Sequence, residues 1–132
     1  IKESNPNIKV IGVEPESAND TYLSLQNGHI TAIPPTTTIA DGLRTSQPGD
    51  LTFPVLQKYL DDLVLVSEEE IKRALSFVLE RTKQMIEPSS ATTVAAAMHQ
   101  RLQGLNGKKV VCVISGGNVD IQQLQELILV DK

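Results

Sequence analysis

Apolar positions along this chain switch repeatedly between short β-rich runs and spacings of three and four, the alternation expected of an α/β arrangement with parallel strands. The pattern predicts a first strand over Ile8 to Val13 (IKVIGV). Pro15 then favours the start of a helix, and a polar segment carrying Tyr22, Leu23 and Leu25 runs to a stop at Asn27-Gly28. Residues 31–54 are rich in Pro, Thr, Gly and Asp and predict a long excursion over the surface or a cleft. Long loops in compact domains are commonly functional. A short helix over Leu51 to Leu60 and a short strand over Leu63 to Val66 follow.

The best-defined helix begins at Ser67-Glu68-Glu69-Glu70, a capping box with three carboxylates at the positive end of the helix dipole. Ile71, Ala74, Leu75, Val78, Leu79, Thr82, Met85 and Ile86 recur at helical spacing and predict one buried stripe. Glu87-Pro88-Ser89-Ser90 breaks that run. An alanine-rich helix over Ala91 to Leu102 can pack close to a neighbour, and Gly104 to Gly107 ends it. Val110 to Ile114 reads as a buried-type strand that stops at Ser115-Gly116-Gly117-Asn118. Asp120 to Val130 reads as an amphipathic helix with Leu124, Leu127 and Ile128 as its stripe.

Composition narrows the class. With 132 residues, 40% hydrophobic and 21% charged, the chain can bury a real core, which excludes disorder. Net charge is −4, and its cations are scattered, so no footprint for nucleic acid is visible. The lone Cys112 sits inside an apolar run and predicts a core residue in a reducing compartment. No transmembrane run, signal peptide or lipidation motif stands out, so the expectation is a cytoplasmic protein without a membrane partner.

Candidate chemistry follows from a few spacings. Ligands of open α/β sheets collect at the carboxyl ends of strands. There a Ser-Gly-Gly can offer a hydroxyl and free amides to a ring nitrogen or an anion, or it is a plain turn into the last helix. In Glu14-Pro15-Glu16-Ser17-Ala18-Asn19-Asp20 two carboxylates and a backbone carbonyl could converge on a hard cation that prefers oxygen ligands, or the acids merely favour a helix dipole. Gly42 lies in an Ala-Asp-Gly of the long loop, and Glu87 follows a buried stripe just before a proline. His29 and His99 have no partner pattern and read as surface residues. No Ser/His/Asp arrangement, zinc spacing or P-loop is present.

Taken in order, Ile11-Gly12-Val13-Glu14-Pro15, Thr38-Ile39-Ala40-Asp41-Gly42, Leu60-Asp61-Asp62 through Val66-Ser67-Glu68-Glu69-Glu70-Ile71, Ile86-Glu87-Pro88 and Val113 to Asp120 resemble one family. They look like the carboxy-terminal half of the catalytic domain of serine/threonine dehydratases and serine racemase, fold-type II pyridoxal-phosphate enzymes. Glu-Pro after Ile86 resembles the racemase branch more than biosynthetic threonine dehydratases. The resemblance implies an α/β fold, the carboxy-terminal part of the large domain, with a mostly parallel sheet and flanking helices.

Roles follow from it residue by residue. Ser115 matches the serine that hydrogen-bonds the pyridine nitrogen of pyridoxal phosphate, Gly116 and Gly117 would let the backbone pass the ring, Gly42 matches the loop glycine near its face, and Glu87 a carboxylate at its edge. Glu14, the Ala18 carbonyl and Asp20 match the family's site for a divalent cation such as Mg, Ca or Mn. Lys83 and Asn118 match positions that contact ATP, an effector. The family's Schiff-base lysine, its substrate loop and its phosphate cradle match nothing in this chain, which implies a fragment, inactive alone, whose partner is the amino-terminal half of the same enzyme. The parent would act on a small amino acid such as L-serine or L-threonine, giving a 2-oxo acid and ammonia or the other enantiomer, as a homodimer. The alternative is a non-catalytic α/β binding module that uses the Ser115 to Asn118 turn for an anion or nucleotide. A regulatory ligand-binding domain would show a repeated β-α-β pattern, which the sequence lacks.

Overall fold

The structure, a computed structural model, describes residues 1–128. Strand β1 (Ile11–Pro15) and strand β2 (Asp62–Val66) pair in parallel, with Val13 opposite Val64. Pairing starts three residues later than the apolar run suggests, because the Asp61 carboxylate takes the Val10 amide at 2.7 Å and Lys2 closes a salt bridge on the same carboxylate. Pro15 ends the strand rather than opening a helix. The chain then turns, and helix α1 spans Asp20–Asn27 with Gly28 as its left-handed cap (φ 74°). Residues 31–52 carry no α-helix or strand, only a single 3-10 turn at Asp41–Leu43, before helix α2 (Phe53–Tyr59).

Helix α3 (Glu68–Thr82) starts at the expected capping box: Ser67 Oγ accepts from the Glu70 amide and the Glu70 carboxylate accepts from the Ser67 amide. Such a cap contributes about 1 kcal/mol. Ile71, Ala74, Leu75 and Val78 are buried as the stripe requires. The stripe ends earlier than its spacing suggests. Lys83 adopts a left-handed conformation (φ 60°) and its amide caps onto the Leu79 carbonyl, so Thr82 and Met85 are exposed and Ile86 is buried from a separate, extended segment.

Helix α4 occupies Pro88–Met98, displaced toward the N-terminus from the expected Ala91 to Leu102. Pro88 stands in the first turn, where its missing amide costs nothing. Ala91, Ala95 and Ala96 are fully buried and pack with Ala74, Leu75 and Val78 of α3; without long side chains the two helices approach closely. Beyond α4, positive-φ residues Gln100, Gly104 and Gly107 turn the chain back.

Two expectations fail beyond this point. Residues 110–114 form no ladder among the described residues, and Val111 is 86% exposed. A β-rich run needs a neighbouring strand to form a ladder, and here Thr93 of α4 donates to the Val113 carbonyl at 3.2 Å. Cys112 is accordingly half-buried rather than in the core, its Sγ donating weakly to the Thr93 carbonyl, and burial pushes its thiol pKa up. Helix α5 (Ile121–Leu127) starts at Asp120, whose carboxylate accepts from the Gln123 amide, and buries Leu124 and Leu127. The helix stops short of the expected Val130: Ile128, its C-cap, is already extended (φ −69°, ψ 124°), and positions 129–130 of the expectation lie outside the described residues. His29 is exposed as expected, but His99 is not a plain surface residue: it caps α4, and its Nε2 is buried without a hydrogen-bond partner. No helix among the described residues is long and apolar enough to cross a membrane.

Candidate functional site

The first turn of α4 is the point at which distant segments meet. Glu87 is its N-cap residue, but the carboxylate does not cap its own helix; it reaches out and accepts from the Asn118 amide at 2.9 Å. The Glu87 amide in turn donates to the Gly116 carbonyl at 3.2 Å. Ser90, only 1% exposed, stands beside them: its Oγ accepts from the Gly116 amide at 2.8 Å, lies 2.9 Å from the Gly116 carbonyl, and is 3.2 Å from the Ser115 hydroxyl. Across the turn, Ser89 Oγ accepts from the Gly42 amide at 3.0 Å. Ser115, Gly116, Glu87 and Gly42, far apart in sequence, are thus gathered at one helix end.

The glycines of this turn permit close packing within the protein. A Cβ on Gly117 would come within 2.8 Å of the Met85 carbonyl oxygen, and one on Gly116 within 2.9 Å of the Glu87 carboxylate. Both missing side chains face the protein, so glycine lets residues 116 and 117 lie flat against the segment before α4. Ser115 remains exposed at the surface of this turn, with its hydroxyl backed by a buried one. Ser89 and Ser90 were not legible as site residues. Their one sequence signal is their place immediately after Glu87-Pro88.

Glu68, in the first turn of α3, fixes the loop that carries Gly42. Its carboxylate accepts from the Ile39 amide at 2.9 Å and from Ser17 Oγ at 2.7 Å. Burial works against that charge, but the hydrogen bonds from Thr38, Ser17 and Ile39 prevail and hold the carboxyl below its ordinary range. Arg44 adds a bond from its Nε to the Thr38 carbonyl at 2.7 Å.

The second group of candidates lies between β1 and α1. Glu14 at the end of β1 accepts from the Thr21 and Tyr22 amides, acting as an anion at the start of α1. Asp20, 1% exposed, accepts from Thr45 Oγ1 at 3.3 Å. Burial raises the pKa of both, and the charge of Asp20 raises Glu14 further. Ala18 is buried between them in sequence. Among the described residues no group of three or more His, Cys, Asp or Glu side chains converges on one point. Lys83 and Asn118 have structural duties: the lysine Nζ donates to the Glu80 carbonyl, and the Asn118 amide holds Glu87.

The family model for pyridoxal-phosphate dependent enzymes matches residues 1–116. This chain belongs to that family. Among the relatives of this pyridoxal-phosphate family member, an L-threonine ammonia-lyase of Geobacter sulfurreducens is 42% identical over 128 residues, covering 97% of this chain and 32% of the relative. A serine racemase of Dictyostelium discoideum is 48% identical over 130 residues, covering 96% and 40% respectively. The solved structure of processed threonine deaminase isoform 2 from Solanum lycopersicum superposes with a TM-score of 0.86 at 32% identity, covering 96% of this chain and 35% of that one. The α/β fold is therefore that of the family, and the chain spans about a third to two fifths of these proteins' lengths. These matches to enzymes do not favour the reading as a stand-alone binding module.

The residues at the α4 turn fit the cofactor by their chemistry. A hydroxyl can donate to a pyridine nitrogen or accept from its protonated form. Ser115 presents such a group outward, and the two glycines keep its turn seated.

Proposed function

We propose that this chain is the cofactor-facing portion of a pyridoxal-phosphate-dependent ammonia-lyase or racemase acting on a small hydroxy amino acid such as L-serine or L-threonine. One observation carries the reading: the exposed Ser115 hydroxyl is held at the α4 turn together with Glu87 and the Gly42 loop. When bound, pyridoxal phosphate supplies an electron sink for charge developing at the amino acid's α-carbon. Ser115 would hold the pyridine nitrogen, and because a hydroxyl is too weak an acid to give the ring a full proton, it would moderate that sink. Glu87, oriented by the Asn118 amide, would stand as the carboxylate at the cofactor's edge. The Schiff-base lysine and phosphate cradle belong to the remainder of the parent enzyme. The intact protein, loaded with cofactor and given L-serine or L-threonine, is expected to release a 2-oxo acid with equimolar ammonia, or to form the other enantiomer. Chiral chromatography and an ammonia assay read both outcomes; a loaded protein that does neither contradicts the proposal.

Glu14, the Ala18 carbonyl and Asp20 are assigned to a divalent cation, and Lys83 and Asn118 to ATP. Supporting the first assignment are two carboxylates destabilised by burial, which a hard cation would neutralise through oxygen ligands. Thermal unfolding of the intact protein is expected to shift upward with millimolar Mg, Ca or Mn, and further when ATP is added. Glu14→Gln should abolish the cation shift and Lys83→Ala the nucleotide increment. An unchanged melting temperature in the wild type removes both assignments.

A further inference from the structure

We propose that Ser90 is the positioning residue of the cofactor's ring contact: it sets whether the Ser115 hydroxyl donates or accepts. The inference rests on the assignment of Ser115 to the pyridine nitrogen and concerns a residue that neither the motifs nor the comparisons single out.

A serine hydroxyl has one hydrogen and two lone pairs. At Ser90, one lone pair is taken by the Gly116 amide at 2.8 Å. The hydrogen then has two possible acceptors, the Gly116 carbonyl at 2.9 Å and Ser115 Oγ at 3.2 Å. If it goes to the carbonyl, the Ser90–Ser115 bond is kept only with Ser115 as its donor, and then only the lone pairs of Ser115 face outward. If it goes to Ser115, the Ser115 hydrogen is free for an unprotonated ring nitrogen. The second arrangement leaves no buried group unsatisfied, because the Gly116 carbonyl keeps the Glu87 amide at 3.2 Å as a donor. That alternative donor makes the switch inexpensive. Ser90 is 1% exposed, so its own hydroxyl bonds within the protein and not to bulk water.

With an unprotonated ring nitrogen bound at Ser115, the Ser90 hydrogen would turn from Gly116 to Ser115, and Ser115 would become a donor. The residue acts through Ser115 and touches no reacting atom. Its loss should weaken the ring contact only where Ser115 is present.

A double-mutant cycle on the intact protein tests this, with the pyridoxal phosphate dissociation constant read by absorbance titration and the unfolding midpoint recorded beside it. Ser90→Ala is expected to weaken cofactor binding roughly five- to tenfold, the worth of one hydrogen bond. In a Ser115→Ala background the same change should alter affinity less than about twofold, since coupled residues are not additive. Ser90→Cys, which keeps the side chain's shape but bonds weakly, should repeat the pattern should the alanine variant fold poorly. Equal losses in both backgrounds mean a purely structural role and overturn the proposal, as does wild-type affinity in Ser90→Ala. If Ser115→Ala itself leaves affinity unchanged, the assignment of Ser115 fails and takes this inference with it; losses at Ser115 without coupling to Ser90 sink this inference alone.

Discussion

Gly117→Ala is expected to destabilise the protein by about 1–3 kcal/mol and to reduce turnover of the intact enzyme by roughly a hundredfold. The added methyl would stand 2.8 Å from the Met85 carbonyl oxygen, closer than real Cβ contacts allow, and that oxygen belongs to backbone that cannot swing aside. Either the extended segment before α4 shifts or the turn lifts away. Ile86, next to Met85, is 2% exposed, so shifting that segment disturbs the core. Lifting the turn strains the Glu87 amide bond to the Gly116 carbonyl and the Asn118 amide bond to Glu87, and carries Ser115 with it. Small displacements of positioned groups have large kinetic consequences. Gly116→Ala makes a useful contrast, because its methyl would meet only the tip of the Glu87 side chain at 2.9 Å, which can rotate. Thermal unfolding and steady-state kinetics on both variants check the ranking; wild-type stability and turnover in Gly117→Ala would remove the steric account.

The second large effect is the reverse in kind, with function lost and folding kept. Ser115→Ala should leave unfolding within about 0.5 kcal/mol of wild type, as for other exposed positions. The side chain is exposed, and Ser90 still holds the Gly116 peptide through its amide and carbonyl. Turnover should nonetheless fall roughly threefold to tenfold, the range for losing a neutral hydrogen bond of about 0.5–1.5 kcal/mol. Comparing kcat with the denaturation midpoint decides the matter. Equal activity in the variant would deprive Ser115 of its assigned role.

What the sequence disclosed of the fold depended on how local each signal was. The capping box at Ser67 and Glu70 and the glycine stop at Gly28 were legible because both partners lie within one turn of each other. The end of α3 was not. Met85 and Ile86 continue the helical spacing, and only the left-handed backbone of Lys83, a residue type with no marked preference for it, breaks the helix first. The run 110–114 has strand composition, but a strand is a property of two segments, and its hydrogen-bonding partner is not among the described residues. For the site, Ser115, Gly116, Gly42 and Glu87 were legible as separate motifs, whereas their meeting point was hidden. Ser90 lies 26 residues from Gly116, and a serine opening an alanine-rich helix looks like any other small residue until the turn folds over it. The packing duty of Gly117 was hidden for the same reason: the Met85 carbonyl that excludes a side chain there is visible only in three dimensions.

The central claim is that the Ser115 turn, seated on the first turn of α4, receives the pyridine ring. A crystal structure of the intact protein loaded with pyridoxal phosphate tests it most directly. The account predicts Ser115 Oγ at about 2.6–3.2 Å from the ring nitrogen, with the Ser90 hydroxyl still in contact behind it. A ring bound elsewhere, or a nitrogen facing any group other than Ser115, would contradict it.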